Sequence, residues 1–150
     1  EWNGGADFYK RLGAQHVPVI DWRAQFVLRH KSGIEVKVDA AHGRKGSSIY
    51  NPAHSTLRAA KFGEDADLYV TGHIHSFNLT HFEDAERHTV SWLAQVRGYK
   101  FEDHYAKVNG FAEYQPGASI LSIIDPQTGS VHCYEDVEFG ADVLAFLRSR

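Results

Sequence analysis

The sequence predicts an α/β fold, and three stretches predict it. Residues 34–41 alternate strictly, with Ile34, Val36, Val38 and Ala40 on one side and Glu35, Lys37 and Asp39 on the other, the period-two pattern of a strand. Asn51-Pro52 opens a helical pattern ten residues further on, as an N-cap followed by proline at the first helical position. From Phe77 onward the chain reads mostly as short β segments separated by turn residues.

Taken in order, residues 6–15 carry a short helical pattern, with Phe8, Tyr9 and Leu12 on one side and Gly13 near the end. Residues 25–30 and 34–41 form a hairpin around Lys31-Ser32-Gly33. His42 falls on the apolar side where the second arm ends, and Gly43 lets the chain turn. A polar loop over 43–50 leads to the helix, whose apolar face is Leu57, Ala60 and Phe62 and whose stop is Gly63. Leu68-Tyr69-Val70 suits a short buried strand over 67–71, which delivers Gly72-His73-Ile74-His75 at its tip. Strands follow over 77–82 and 89–96 with the acidic turn Glu83-Asp84 between them. Residues 119–124 and 130–136 make a second hairpin about Asp125-Pro126-Gln127-Thr128-Gly129. A short amphipathic helix with Val143, Leu144 and Leu147 closes the chain, and there is no internal repeat.

With 150 residues, 43% hydrophobic and 23% charged, the chain has the balance of one folded domain. A net charge of -3 with scattered Lys and Arg gives no electrostatic footprint of a dedicated nucleic-acid binder, so charge does not support a nucleic acid or nucleotide partner. No apolar run approaches the ~20 residues of a membrane span. Cys133 is the single cysteine, which excludes an intrachain disulfide framework and reads as a small buried hydrophobe in a reducing, cytoplasmic setting. The chain has no methionine, even at position 1, and opens on Glu1-Trp2-Asn3-Gly4-Gly5, which reads like the interior of a loop. The expectation is a fragment of a longer protein.

Ten histidines are unusual, and three sit where metal ligands belong. A binuclear hydrolase holds two divalent ions close enough to share a water and grip a phosphate, with ligands on tight turns at strand ends. His42 ends one apolar strand, and His73 and His75 follow another, with Gly72 freeing the turn before them. Neutral imidazoles suit Mn, Fe, Zn or Ni. The competing explanation is a set of hydrogen-bonded turn histidines.

Two segments resemble the calcineurin-like metallophosphoesterases. That family carries Asp-x-His, Gly-Asp-x-x-Asp and Gly-Asn-His-Asp/Glu, then a His often followed by Gly, then Gly-His-x-His. Val38-Asp39-Ala40-Ala41-His42-Gly43 resembles the fourth element, and the segment from Ala66 to Gly72-His73-Ile74-His75 resembles the fifth. The resemblance implies the C-terminal part of a calcineurin-like β-sandwich flanked by helices. It implies two divalent ions, with His42 and His73 on one and His75 on the other, and hydrolysis of a phosphomonoester or phosphodiester substrate. None of the first three motifs occurs upstream of His42, and Glu1 would be the last residue of the third if the chain began just after its His. The resemblance therefore implies that the isolated chain lacks much of the metal site and is inactive alone.

Arg44 and Lys45, directly after His42-Gly43, are candidates to hold a phosphate oxygen, with solvated loop charges as the plainer reading. His54 reads as surface, and Asn78 and His81 as surface or cross-strand partners. The aromatic segment over 98–115 suits a lid or satellite core more simply than a base-stacking surface. His16, His30, His88, His104 and His132 have no ligand spacing. Two other classes compete: a non-catalytic metal- or protein-binding module on the same fold, and a plain β-rich domain with incidental histidines.

Overall fold

A computed structural model describes residues 22–46, 48–74, 76–97, 104–110 and 119–150. The expected helix over 6–15, Glu1, His75 and most of the aromatic segment over 98–115 lie outside the described residues. The described part is a mixed α/β fold. Its elements run β1 (Arg23–Arg29), β2 (Glu35–Ala41), α1 (His54–Phe62), β3 (Leu68–Thr71), β4 (Asn78–Asp84), β5 (Thr89–Gln95), α2 (His104–Val108), β6 (Leu121–Ile124), β7 (Val131–Tyr134) and α3 (Val137–Arg148). No described helix is long and apolar enough to cross a membrane.

β1 to β5 form one sheet in the order β1-β2-β3-β5-β4. The central pairs β2–β3 and β3–β5 are parallel, and the outer pairs β1–β2 and β4–β5 are antiparallel hairpins. Such a layout follows from the connections. A tight turn at Gly33 (φ 91°) allows the antiparallel β1–β2 pair, whereas the helical crossover α1 returns the chain for a parallel β2–β3 pair. β6 and β7 pair separately as the second expected hairpin, turning at Gly129 (φ 80°).

Each face of the sheet is covered. Val36, Val38 and Leu68 meet Cys133 of β7, with Ile124, Val131 and Trp92 packed around them. Trp92 Nε1 donates to the Val131 carbonyl at 2.6 Å, fastening the hairpin to the sheet. On the opposite face Tyr69 and Leu93 meet Ala60 of α1 and Ala66, with Leu57 and Phe82 alongside. The Tyr69 hydroxyl donates to the Glu64 carbonyl and accepts from Ala66 N–H, so the ring's polar end stays satisfied in the core. Burial pushes that hydroxyl's pKa upward. Cys133 is buried as expected, and burial likewise raises its thiol pKa, leaving it in the unreactive protonated form.

Several expectations need correction. Asp39 shares a side of β2 with Glu35 and Lys37, as the alternation has it, yet they are exposed and it is fully buried, because the helix side of the sheet is itself covered at this end of β2. α1 begins at His54, since Asn51 Oδ1 accepts from Ala53 N–H and holds residues 51–53 in a turn before the helix. Its buried face is Ser55, Thr56 and Ala60, while Phe62 is 74% exposed. β4 runs on to Asp84, which accepts from the N–H groups of Glu86 and Arg87 and so moves the turn two residues later. Within the aromatic segment, His104–Val108 is a short helix.

α3 is capped by Asp136, whose carboxylate accepts from Phe139 N–H. Gly140 is its one buried residue and lies against β6 and β7. A Cβ there would stand 2.7 Å from Leu121 Cδ2 and 3.1 Å from Tyr134 Cβ. The leucine end can swing aside, but the tyrosine Cβ is fixed by its strand. Alanine gains about 1 kcal/mol of helix propensity, whereas overpacking costs about 1–3 kcal/mol. Gly140→Ala is therefore expected to lower stability by about 1 kcal/mol in urea denaturation, and an unchanged midpoint would show that α3 is not packed this closely.

Candidate metal centre

Parallel pairing sets the site. Ala41 lies beside Thr71 in the β2–β3 register, and Gly72 N–H donates to the Ala41 carbonyl at 3.1 Å. Both strands thus end at one level, and the residues that follow them, His42 and His73, emerge side by side. His42 Nε2 and His73 Nδ1 are 2.9 Å apart, with ring centroids at 4.7 Å. Both side chains are exposed.

The two loops meet here at ordinary van der Waals distance. A Cβ on Gly43 would lie 3.4 Å from His73 Cβ, and one on Gly72 would lie 3.4 Å from the His42 carbonyl oxygen. His73 itself has φ 69°, a left-handed backbone costly for a side chain with a Cβ. Strain of this kind persists where the surroundings hold a residue for a purpose. Trp22 stacks against the other side of the pair, 4.8 Å from the His42 ring, and its carbonyl accepts from His42 N–H at 2.8 Å.

Beneath the histidines lies a buried charge network. Asp39 Oδ1 and Oδ2 accept from Arg23 Nε and Nη2 at 3.1 and 2.8 Å. Arg44 Nη2 donates to Asp39 Oδ1 at 2.9 Å and to the Asp39 carbonyl at 3.1 Å, and Arg44 Nε donates to Thr71 Oγ1 at 2.7 Å. Burial alone would push the Asp39 carboxyl up; the hydrogen bonds from Arg23 and Arg44 outweigh it and hold the group below the ordinary aspartate range. Arg44 is thereby committed to the sheet, joining β2, β3 and the loop between them. Lys45 is exposed on that loop and makes no ion pair among the described residues.

The structure sets His42 against His73 and places Arg44 and Lys45 in the lining of a neighbouring groove, whereas His75 lies outside the described residues. Among the described residues no group of three or more His, Cys, Asp or Glu converges. His54 is exposed at the start of α1, and His81 stacks on Trp92 at 3.6 Å as a cross-strand partner. Nothing in the sequence marks Trp22 or Asp39 as neighbours of the histidine pair. Trp22 belongs to no pattern, and Asp39 occupies what alternation alone assigns to solvent. Two imidazole nitrogens on one tetrahedral ion at ~2.0–2.1 Å lie roughly 3.3 Å from each other, so the rings now stand at hydrogen-bond spacing and need to part by only a few tenths of an ångström to share an ion. No protein family, curated protein or solved structure gives a match to the chain.

Two outcomes are expected here. Asp39→Asn strands Arg44, whose side chain is 8% exposed, and should lower stability by about 3 kcal/mol at neutral pH in denaturant titration. Because the folded-state pKa of Asp39 is depressed, its contribution is present above the unfolded pKa and is lost as pH falls through the lower folded value. The wild type should therefore weaken below pH of about 4, and the variant should lose less over that range. His73→Gly relieves the backbone strain and should raise metal-free stability by about 1 kcal/mol; a clear loss of stability would mean that the left-handed turn is not strained.

Proposed function

We propose that this chain supplies the histidine side of a binuclear metal site in a metal-dependent phosphoesterase, on the C-terminal part of a calcineurin-like β-sandwich. The observation that carries the reading is the 2.9 Å separation of His42 Nε2 and His73 Nδ1 at the ends of adjacent parallel strands. Two segments that resemble consecutive family motifs are thereby neighbours in space, although 31 residues separate the two histidines in the chain. The hairpin β6–β7 stacked on one face of the sheet and α1 on the other suit a sandwich flanked by helices.

In this reading His42 and His73 hold one Mn, Fe, Zn or Ni ion, and His75 serves the second. When bound, two such ions polarise a phosphoryl group and activate water for attack on a phosphomonoester or phosphodiester. The chain's own part is to present neutral imidazoles on a fixed frame. Arg44 keeps the loop after β2 against Thr71, so that His42 does not drift from His73. Lys45 is free to meet a phosphate oxygen, and Arg44 acts mainly by holding the loop. The bridging aspartate and catalytic histidine of the family belong to motifs that do not occur upstream of His42.

Metal binding is read by thermal shift and calorimetry with Mn and Zn. A ligand at 100 times its Kd stabilises by about 2.7 kcal/mol, and that gain should vanish in the double variant His42→Ala/His73→Ala. An equal shift in the double variant would remove the assignment. Metal bound normally, with no hydrolysis of an aryl phosphodiester by the full-length protein under excess Mn, would favour the non-catalytic binding module.

A further inference from the structure

Beside the histidines, a groove of about 360 Å³ runs between α1 and the ends of β1 and β2. One wall is a continuous face of α1, with Ser55, Arg58 and Phe62 at i, i+3 and i+7. The other carries Trp22, Arg23, Arg44 and Lys45. Among the described residues the lining holds four cations and no carboxylate. Arg23 and Arg44 are occupied by Asp39, but Arg58 and Lys45 have no carboxylate partner among the described residues. Two unpaired cations on facing walls suit a single anionic group with several acceptor oxygens.

Two further observations narrow the ligand. Ser55 is 2% exposed, and its Oγ meets no hydrogen-bond partner among the described residues, a state that buried hydroxyls seldom keep without a ligand or water to complete them. Trp22 and Phe62 are 65% and 74% exposed, so two aromatic rings stand in solvent along the same groove. Cations and a hydroxyl fit a phosphate, and exposed rings fit a planar base.

We propose that this groove binds a nucleoside monophosphate, with Arg58, Lys45 and Ser55 on the phosphate and Trp22 and Phe62 beside the base. The site goes beyond the metal reading and does not rest on it. Gly43 is common to both, since it lines the groove and abuts His73, so a ligand here would lie next to the histidines.

The test is calorimetry on the whole 150-residue chain in EDTA, with AMP and ribose 5-phosphate as probes. AMP should bind saturably, and ribose 5-phosphate about tenfold more weakly for want of a base to stack. Arg58→Ala and Lys45→Ala should each weaken AMP by about tenfold; both residues are exposed, and circular dichroism confirms that the variants fold. EDTA keeps metal out of this measurement, so that a failed metal assignment does not touch this one. Absence of saturable AMP binding, or full affinity in Arg58→Ala, overturns the site. Equal affinity for ribose 5-phosphate overturns the nucleoside assignment.

Discussion

Asp39 has no access to solvent, yet it carries a charge, and three separate pieces of chain are held by that charge. Arg23 starts β1, Arg44 lies in the loop after β2, and Thr71 ends β3; all are tied to the Asp39 network. A carboxylate buried without partners costs several kcal/mol, on the order of what a small domain has in total. The two arginines offset that penalty only when they sit where they do. The network therefore fixes a geometry more than it adds stability, and what it fixes is the rim from which His42 and His73 emerge.

Onto that frame the parallel β2–β3 pair adds convergence. Had the two strands run antiparallel, their C-terminal ends would point to opposite edges of the sheet and the histidines would stand apart. α1 is the reason they do not, because a helical crossover is the usual way to bring the chain back for a parallel neighbour. The loops after β2 and β3 then meet at van der Waals distance, and His73 adopts a left-handed backbone. Packing favours no such arrangement by itself. The rim accumulates exposed imidazoles, a left-handed residue and, among the described residues, cations without a carboxylate partner, none of which adds to the packing of the core.

α1 has two duties that its sequence mixes. Ala60 and Leu57 pack toward Tyr69 and Leu93. Arg58 and Phe62 turn instead to the groove, which explains why the large apolar Phe62 is exposed. The helix is short, and Arg87 braces its end by donating to the carbonyls of Ala60, Lys61 and Gly63 from the β4–β5 turn.

The sequence by itself determined the hairpins β1–β2 and β6–β7, the helix between β2 and β3, and the placing of His42 and His73 at strand ends. Those features depend on local alternation and on Gly, Pro and Asn at turns, which act over a few residues. Tertiary structure alone decided that Asp39 is buried, because burial depends on what covers a face and alternation records only which face a residue takes. It alone decided that β2 and β3 pair in parallel at the register of Ala41 with Thr71, since pairing partners are chosen by packing across the whole sheet. The 2.9 Å approach of the two histidines is a product of both: the residues were written at the strand ends, and the sheet brought those ends together.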